Sequence, residues 1–293
     1  MKELEFPNIP VFENDTVEKC RQTKDYKPIF FELYKHVGII CYLFSCIVPD
    51  TNAVRNIHKQ HFETLIGLLN RCSRLMLANT VLSHDGKFGE TTAIIDRCIV
   101  ESAINVIWLC KKNDNESFER YLADGLKSDL ELESKVLENI NARDGKVLVI
   151  EERMLNSIDR CVNLSGLQKD KIHQIRKFPN MVTRLDDIGF GSLAYTSIQR
   201  MGSHHVHGTW SSLLFHYLKE ENGKLLPQDH PISTDVIQFI NIPLVILDAL
   251  KNFIDFIIID KEVGNPYVSE LYKIREILDE YRIEEAGNDF ETK

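Results

Sequence analysis

Proline and glycine are scarce in this chain, nine and 14 among 293 residues, and they gather at segment boundaries. A many-stranded β-sandwich needs turn residues roughly every 8–12 positions, so that class is excluded. Cysteine pairing is missing too. The seven cysteines (Cys20, Cys41, Cys46, Cys72, Cys98, Cys110 and Cys161) are odd in number, and no two have Cys-x-x-Cys spacing. That excludes zinc knuckles and thioredoxin-type redox chemistry, and their mostly apolar settings read as reduced core residues of a cytoplasmic protein.

There is no excess of positive charge. A formal net charge of −9 excludes a broad cationic surface for duplex DNA, while leaving room for a local basic site. The most apolar stretch near the start falls short of a bilayer span. This run, "VGIICYLFSCIV" (Val37–Val48), has 12 residues, against about 20 needed. Extending it backwards brings in Glu32, Lys35 and His36. The expectation is a core helix and no membrane span. The opening "MKELEFPNIPVFEND" carries no basic-then-apolar signal pattern.

What is present is helical periodicity. Residues 1–27 read as a polar arm, and Pro28 suits the first turn of a helix running to about Val48. In the next run Ile57, Phe62, Leu65, Leu68, Leu69, Leu75 and Met76 recur at helical spacing, until "HDGKFG" stops it. "ETTAIIDRCIVESAINVIWLCKKND" predicts a buried helix, followed by a charged one capped by Asn115 or Ser117. A shorter helix lies around "VIEERMLNSIDRCVNL", and the pattern loosens between Leu167 and Phe190. Further helices are expected over Ser192–Lys219, over "STDVIQFINIPLVILDALKNFIDFIIIDKE" with a kink at Pro243, and over Pro266–Arg282. The fold class is therefore all-α: a helical bundle forming a single helical domain over residues 28–283, with an acidic tail at 284–293.

The stretch "QRMGSHHVHGTW" (Gln199–Trp210) concentrates one arginine and three histidines. On a continuous helix over Ser192–Lys219, Arg200, His204, His207 and Ser211 fall within about 60° of one another. His205 lies about 140° from Arg200, grouped with Ile198, Met201 and Ser212, and reads as packed or hydrogen-bonded. Gly202 and Gly208 would each cost about 1 kcal/mol relative to alanine inside a helix, which suggests function overriding local stability. Two imidazoles and a guanidinium suit metal-free phosphodiester cleavage. One histidine takes a proton from the RNA 2′-hydroxyl, a second protonates the leaving oxygen, and the arginine holds the phosphate. His204 and His207, at i and i+3, could instead chelate a metal, given a further ligand from elsewhere. A plain hydrogen-bonded stripe against a neighbouring helix is the third reading.

A second polar stripe, Arg97, Glu101 and Asn105, lies on the apolar helix upstream. An Arg97–Glu101 ion pair is its first expectation. Alternatively, Glu101 orients one of the histidines. Lys169, Lys171, Arg176, Lys177 and Arg184 face a single acid, Asp170, within Lys169–Arg184, and form a candidate RNA-guiding set.

"RCIVESAINVIWL" together with "AYTSIQRMGSHHVHGTWSSLLFHYL" resembles a bacterial family of helical proteins of unknown function, similar to the HEPN superfamily (higher eukaryotes and prokaryotes nucleotide-binding). The resemblance implies a HEPN-like core around residues 54–262 with extra N- and C-terminal helices. It also implies a metal-independent ribonuclease in toxin–antitoxin or antiviral defence settings, without cofactor. Its partners would be RNA, a second copy in a homodimer, and a partner or antitoxin protein. The superfamily's motif is an arginine followed after four to six residues by a histidine. Here Arg200 matches the arginine, His205 the short spacing and His207 the long one, with Met201 where a polar residue is common. The spacing alone recurs at Arg55 and His61. The competing class is a non-catalytic helical module that binds a protein or nucleotide, and a metal-binding hydrolase comes third.

Overall fold

The computed structural model describes residues 6–49, 53–84, 86–191 and 201–286, with only the backbone for 201–203. It is an all-α fold carrying one two-stranded hairpin among the described residues. The chain divides into two compact units. One comprises residues 1–57, 62–111 and 181–293, the other residues 58–61 and 112–180.

In the larger unit, α2 (Lys27–Ser45) has Pro28 in its first turn and buries Ile29, Phe30, Leu33, Val37, Ile40 and Phe44. α3 (Lys59–Ser83) packs close to it, with Met76 Cβ 3.3 Å from where a Cβ on Gly38 would stand. Buried polar groups lock the layers together. Cys41 Sγ donates to Leu69 O, Ser73 Oγ to Gly38 O, and Cys72 Sγ to Ile99 O on α4 (Gly89–Lys112). Four of the cysteines are buried as expected, whereas Cys46 and Cys161 are exposed; all seven are free thiols.

The residues that read as an arm include α1 (Asn14–Thr23), and this segment is tied to the C-terminal helix. Arg21 and the Tyr26 hydroxyl both bond Glu284, and Phe6 and Phe12 pack their rings on Tyr267 and Tyr281. Later in the chain come α7 (Met181–Asp187), α8 (Met201–Val206) and α9 (Trp210–His216). The hairpin β1 (Leu218–Glu221) and β2 (Lys224–Pro227) pairs antiparallel, with Leu218 opposite Pro227. α10 (Val236–Ile257) is long and apolar enough to cross a membrane, yet 61% of that stretch is buried, packed on α2 and α11. Pro243 lies inside it. α11 (Lys261–Ala286) starts five residues before Pro266, which it accommodates within the helix.

The smaller unit contains α5 (Asn115–Asn141), α6 (Val149–Ser165) and a 3₁₀ turn at Lys169–Gln174. They meet over Ala123, Leu126, Leu130, Ile158, Val162 and Ile172. The α5 cap is Asp114, not Asn115 or Ser117; its carboxylate accepts from Ser117 N at 2.7 Å.

One buried group in the larger unit sets a pH response. Asn79 Nδ2 donates to Asp96 Oδ1 at 2.7 Å, while Asn79 Oδ1 and Asp96 Oδ2 are buried acceptors with no donor. Burial pushes the Asp96 carboxyl well above the usual carboxylate range. The retained proton supplies the donor that this pair of oxygens otherwise lacks. A carboxyl raised on folding contributes fully below its unfolded pKa, and that contribution fades as pH climbs through the folded value. Asp96→Asn keeps the shape and supplies a permanent N–H donor. The variant is expected to gain about 1–2 kcal/mol at neutral pH, and its melting temperature should fall less toward pH 9 than that of the wild type. Melts from pH 5 to 9 check this, and parallel curves for the two proteins would show an ordinary ionised aspartate.

Candidate functional site

The arginine–histidine stretch does not continue as one helix. α8 ends at Val206, and Gly208 adopts a left-handed conformation at φ 56°. Thr209 N donates to His204 O at 3.2 Å, the bond that closes a Schellman turn. The expected helix over Ser192–Lys219 is thus corrected: α9 restarts at Trp210 and yields to β1 at Leu218. Gly208 is there because a helix end needs a residue at positive φ, not because function displaced a better helix former. With the break, a helical wheel cannot carry His207 and Ser211 onto the face of Arg200. Arg200 itself lies outside the described residues, as do the side chains of Met201 and Ser203.

The histidines separate by environment. His207 is exposed in the turn. His204 is half-buried and its Nδ1 shares a 2.8 Å hydrogen bond with Thr209 Oγ1, inside the same turn. His205 is half-buried as well. Its Nδ1 shares a hydrogen bond with Ser212 Oγ at 3.3 Å, and its ring meets His216 edge-on, centroids 4.5 Å apart at 68°. Ser212 is 1% exposed, which fixes this hydroxyl as an orienting group. Ser211 is exposed.

Burial and the neighbouring His216 and His204 lower the proton affinity of His205. Burial lowers that of His216 also, opposed by the Glu90 carboxylate at the start of α4. His216 Nδ1, Glu90 Oε2 and Arg97 Nη1 are all buried with no hydrogen-bond partner. Glu90 and Arg97 are seven residues apart on α4, hence about 20° apart on its wheel and on one face.

His216 and Glu90 do not stand out in the sequence. The break between α8 and α9 leaves no continuous wheel on which His205 and His216 could be paired.

Arg97 and Glu101 do not pair. Glu101 is half-exposed and stands 3.8 Å from Arg184, which also hydrogen-bonds Asn105 Oδ1. Arg184 is 5% exposed, so it leaves the set of cations available to a surface phosphate. In the smaller unit, Lys169 is clamped by Glu133 and Asp159, and Arg176 lies 3.8 Å from Glu116. Lys171 and Lys177 are exposed. Among the described residues, no group of three or more His, Cys, Asp or Glu side chains is placed to hold a metal.

Fold and site together define an all-α protein whose His205 and His216 meet across α8 and α9. A model of the DUF5677 family, described as a family of unknown function, matches residues 62–225, more than half of the chain. The chain belongs to that family. The match begins in α3 and ends within the hairpin, so it spans both Glu90 and the histidines. No curated protein matches the chain, and no solved structure does.

Proposed function

We propose that the protein is a metal-independent RNA endonuclease of the HEPN type, with His205 as its general base. The observation behind this reading is the setting of His205, oriented by Ser212, desolvated, and flanked by a second imidazole. A neutral, oriented imidazole at physiological pH is what proton abstraction from a 2′-hydroxyl requires. The freed 2′-oxygen attacks the phosphorus, the 5′-oxygen leaves with a proton from His204 or His207, and a 2′,3′-cyclic phosphate remains. Arg200, assigned from sequence spacing alone, holds the phosphate. The exposed Lys171 and Lys177 are the remaining candidates for guiding RNA.

Purified protein in EDTA is expected to cut RNA and leave cyclic phosphate ends. His205→Ala should slow cleavage by about 10²–10⁴-fold, and His204→Ala and His207→Ala separate the two candidates for the acid. Equal cleavage by wild type and His205→Ala would remove the proposal.

A further inference from the structure

We propose that Arg120 and Lys127 of α5 are positioning residues, which hold the basic loop 171–177 in shape for single-stranded RNA. The ligand rests on the nuclease reading; the geometry of the loop stands without it.

All of its parts lie in the smaller unit. The loop "KIHQIRK" carries Lys171, His173, Arg176 and Lys177 and no acid, Asp170 lying just before it, in a chain whose net charge is −9. Its apolar residues anchor it. Ile172 is fully buried, Ile175 packs against the core between α5 and α6, and the following Phe178 meets the Tyr121 ring edge-on at 5.4 Å. Its cations stay in solvent, with Lys171 and Lys177 exposed and the Arg176 side chain 78% exposed.

What sets this loop apart is how two cations of α5 are used. Arg120 Nε and Nη2 both donate to Lys177 O, at 3.0 and 2.7 Å, and Lys127 Nζ donates to Ile175 O at 2.6 Å. Seven residues apart, the two side chains leave α5 from one face. A cation bonded to a carbonyl keeps its charge, whereas one bonded to a carboxylate is neutralised. The loop is thus pinned by its backbone, without a carboxylate at either bond. Glu116 stands 3.8 Å from both Arg120 and Arg176 and is 62% exposed, too hydrated a contact to withhold Arg176 from a phosphate. Fixing a displayed loop in advance lowers the ordering cost of binding. Phosphates are the anions that exposed Lys and Arg side chains meet along a nucleic-acid strand.

Anisotropy of a labelled 2′-O-methyl RNA strand on the whole chain, over a salt series, tests this; the strand offers no 2′-hydroxyl to cleave. Lys171→Ala and Lys177→Ala each remove a phosphate contact, so the slope of log K against log salt should flatten by about 0.7 each. Arg120→Met and Lys127→Met should weaken binding by roughly 3–10-fold, the cost of ordering a loosened loop, and keep the wild-type slope. Arg120→Lys, which retains a donor for Lys177 O, should recover part of the loss. Lys135→Ala, at an exposed position further along α5, controls for net charge and should change neither quantity. The two Met variants remove the two anchors separately, so either decides if the other fails to fold. Met variants that bind like the wild type would overturn the proposal. So would Met variants with a flattened slope, since Arg120 and Lys127 would then be phosphate contacts, or a Lys135→Ala loss equal to that of Lys177→Ala. A wild type that does not hold the strand, or that holds an oligoglutamate as tightly, ends it too. A protein that holds the strand in this manner but cuts no RNA sinks the nuclease reading alone.

Discussion

Gly89→Ala is expected to lower the melting temperature by roughly 6–12 °C, the shift produced by about 3 kcal/mol in a chain of this size. Gly89 is the first residue of α4, and its N–H donates to Ile232 O at 2.7 Å. A Cβ there would stand 2.8 Å from the carbonyl carbon of Ser233, closer still to its oxygen, and 3.0 Å from Ile232 O. All three obstacles are backbone, so none can swing aside as a side chain would. Relief means moving residues 232–234, and Thr234 Oγ1 is bonded to Lys87 O and to Thr92. Glu90, next in the chain, would shift with the displaced turn. Gly67, exposed within α3, provides the contrast, since a Cβ on it meets nothing within 4 Å. Gly67→Ala should raise stability by about 0.5–1 kcal/mol through helix propensity alone. Thermal melts of both variants decide the matter. If both move in the same direction, the close approach at residues 232–233 is not what demands glycine at position 89.

The long helices are legible in the sequence because burial on one face leaves a repeating apolar pattern. α2, α3, α4 and α10 all follow such patterns. The departure lies between Ser192 and Lys219, where local backbone chemistry outweighs periodicity. "ENGK" reads as the end of a helix, yet Asn222 and Gly223 both take positive φ, 53° and 74°. An Asn-Gly pair in that conformation makes the two-residue turn that matches strand twist, so the hairpin follows from two residues. Gly208 acts in the same way, ending α8 two residues after His204. Those breaks decide which histidines meet. A continuous helix favours His204 with His207, whereas the observed turn leaves His207 in solvent and brings His205 against His216 on α9. Glu90 is beyond reach for another reason: its carboxylate acts on His216 from more than a hundred residues away in the chain, which no periodicity encodes.

The same limit applies to Arg184, which charge counting places among RNA-guiding cations and the fold places inside. Arg184→Ala is expected to cost about 2–4 kcal/mol, from the donor lost to a buried amide oxygen and the void left behind. The guanidinium on α7 bonds the buried Asn105 Oδ1 and faces Glu101, both on α4. Trp108 Nε1 donating to Asp187, and Lys111 Nζ donating to Ile188 O, fasten the same segment, each at 2.8 Å. Truncation leaves Asn105 Oδ1 buried without this donor and opens a void where the side chain ran. Glu101, half-exposed, is rehydrated and contributes little to the loss. Arg184→Lys should not restore stability, because an ammonium cannot present two fixed N–H groups to Asn105 and Glu101 together. Lys171→Ala and Lys177→Ala, at exposed positions, should leave the melt unchanged. Melting each variant and measuring RNA retention at low salt separates the roles. An Arg184→Ala protein that melts like the wild type but loses RNA would return Arg184 to the surface; a protein that loses several kcal/mol, with Lys→Ala controls intact, keeps it as the clamp between α7 and α4.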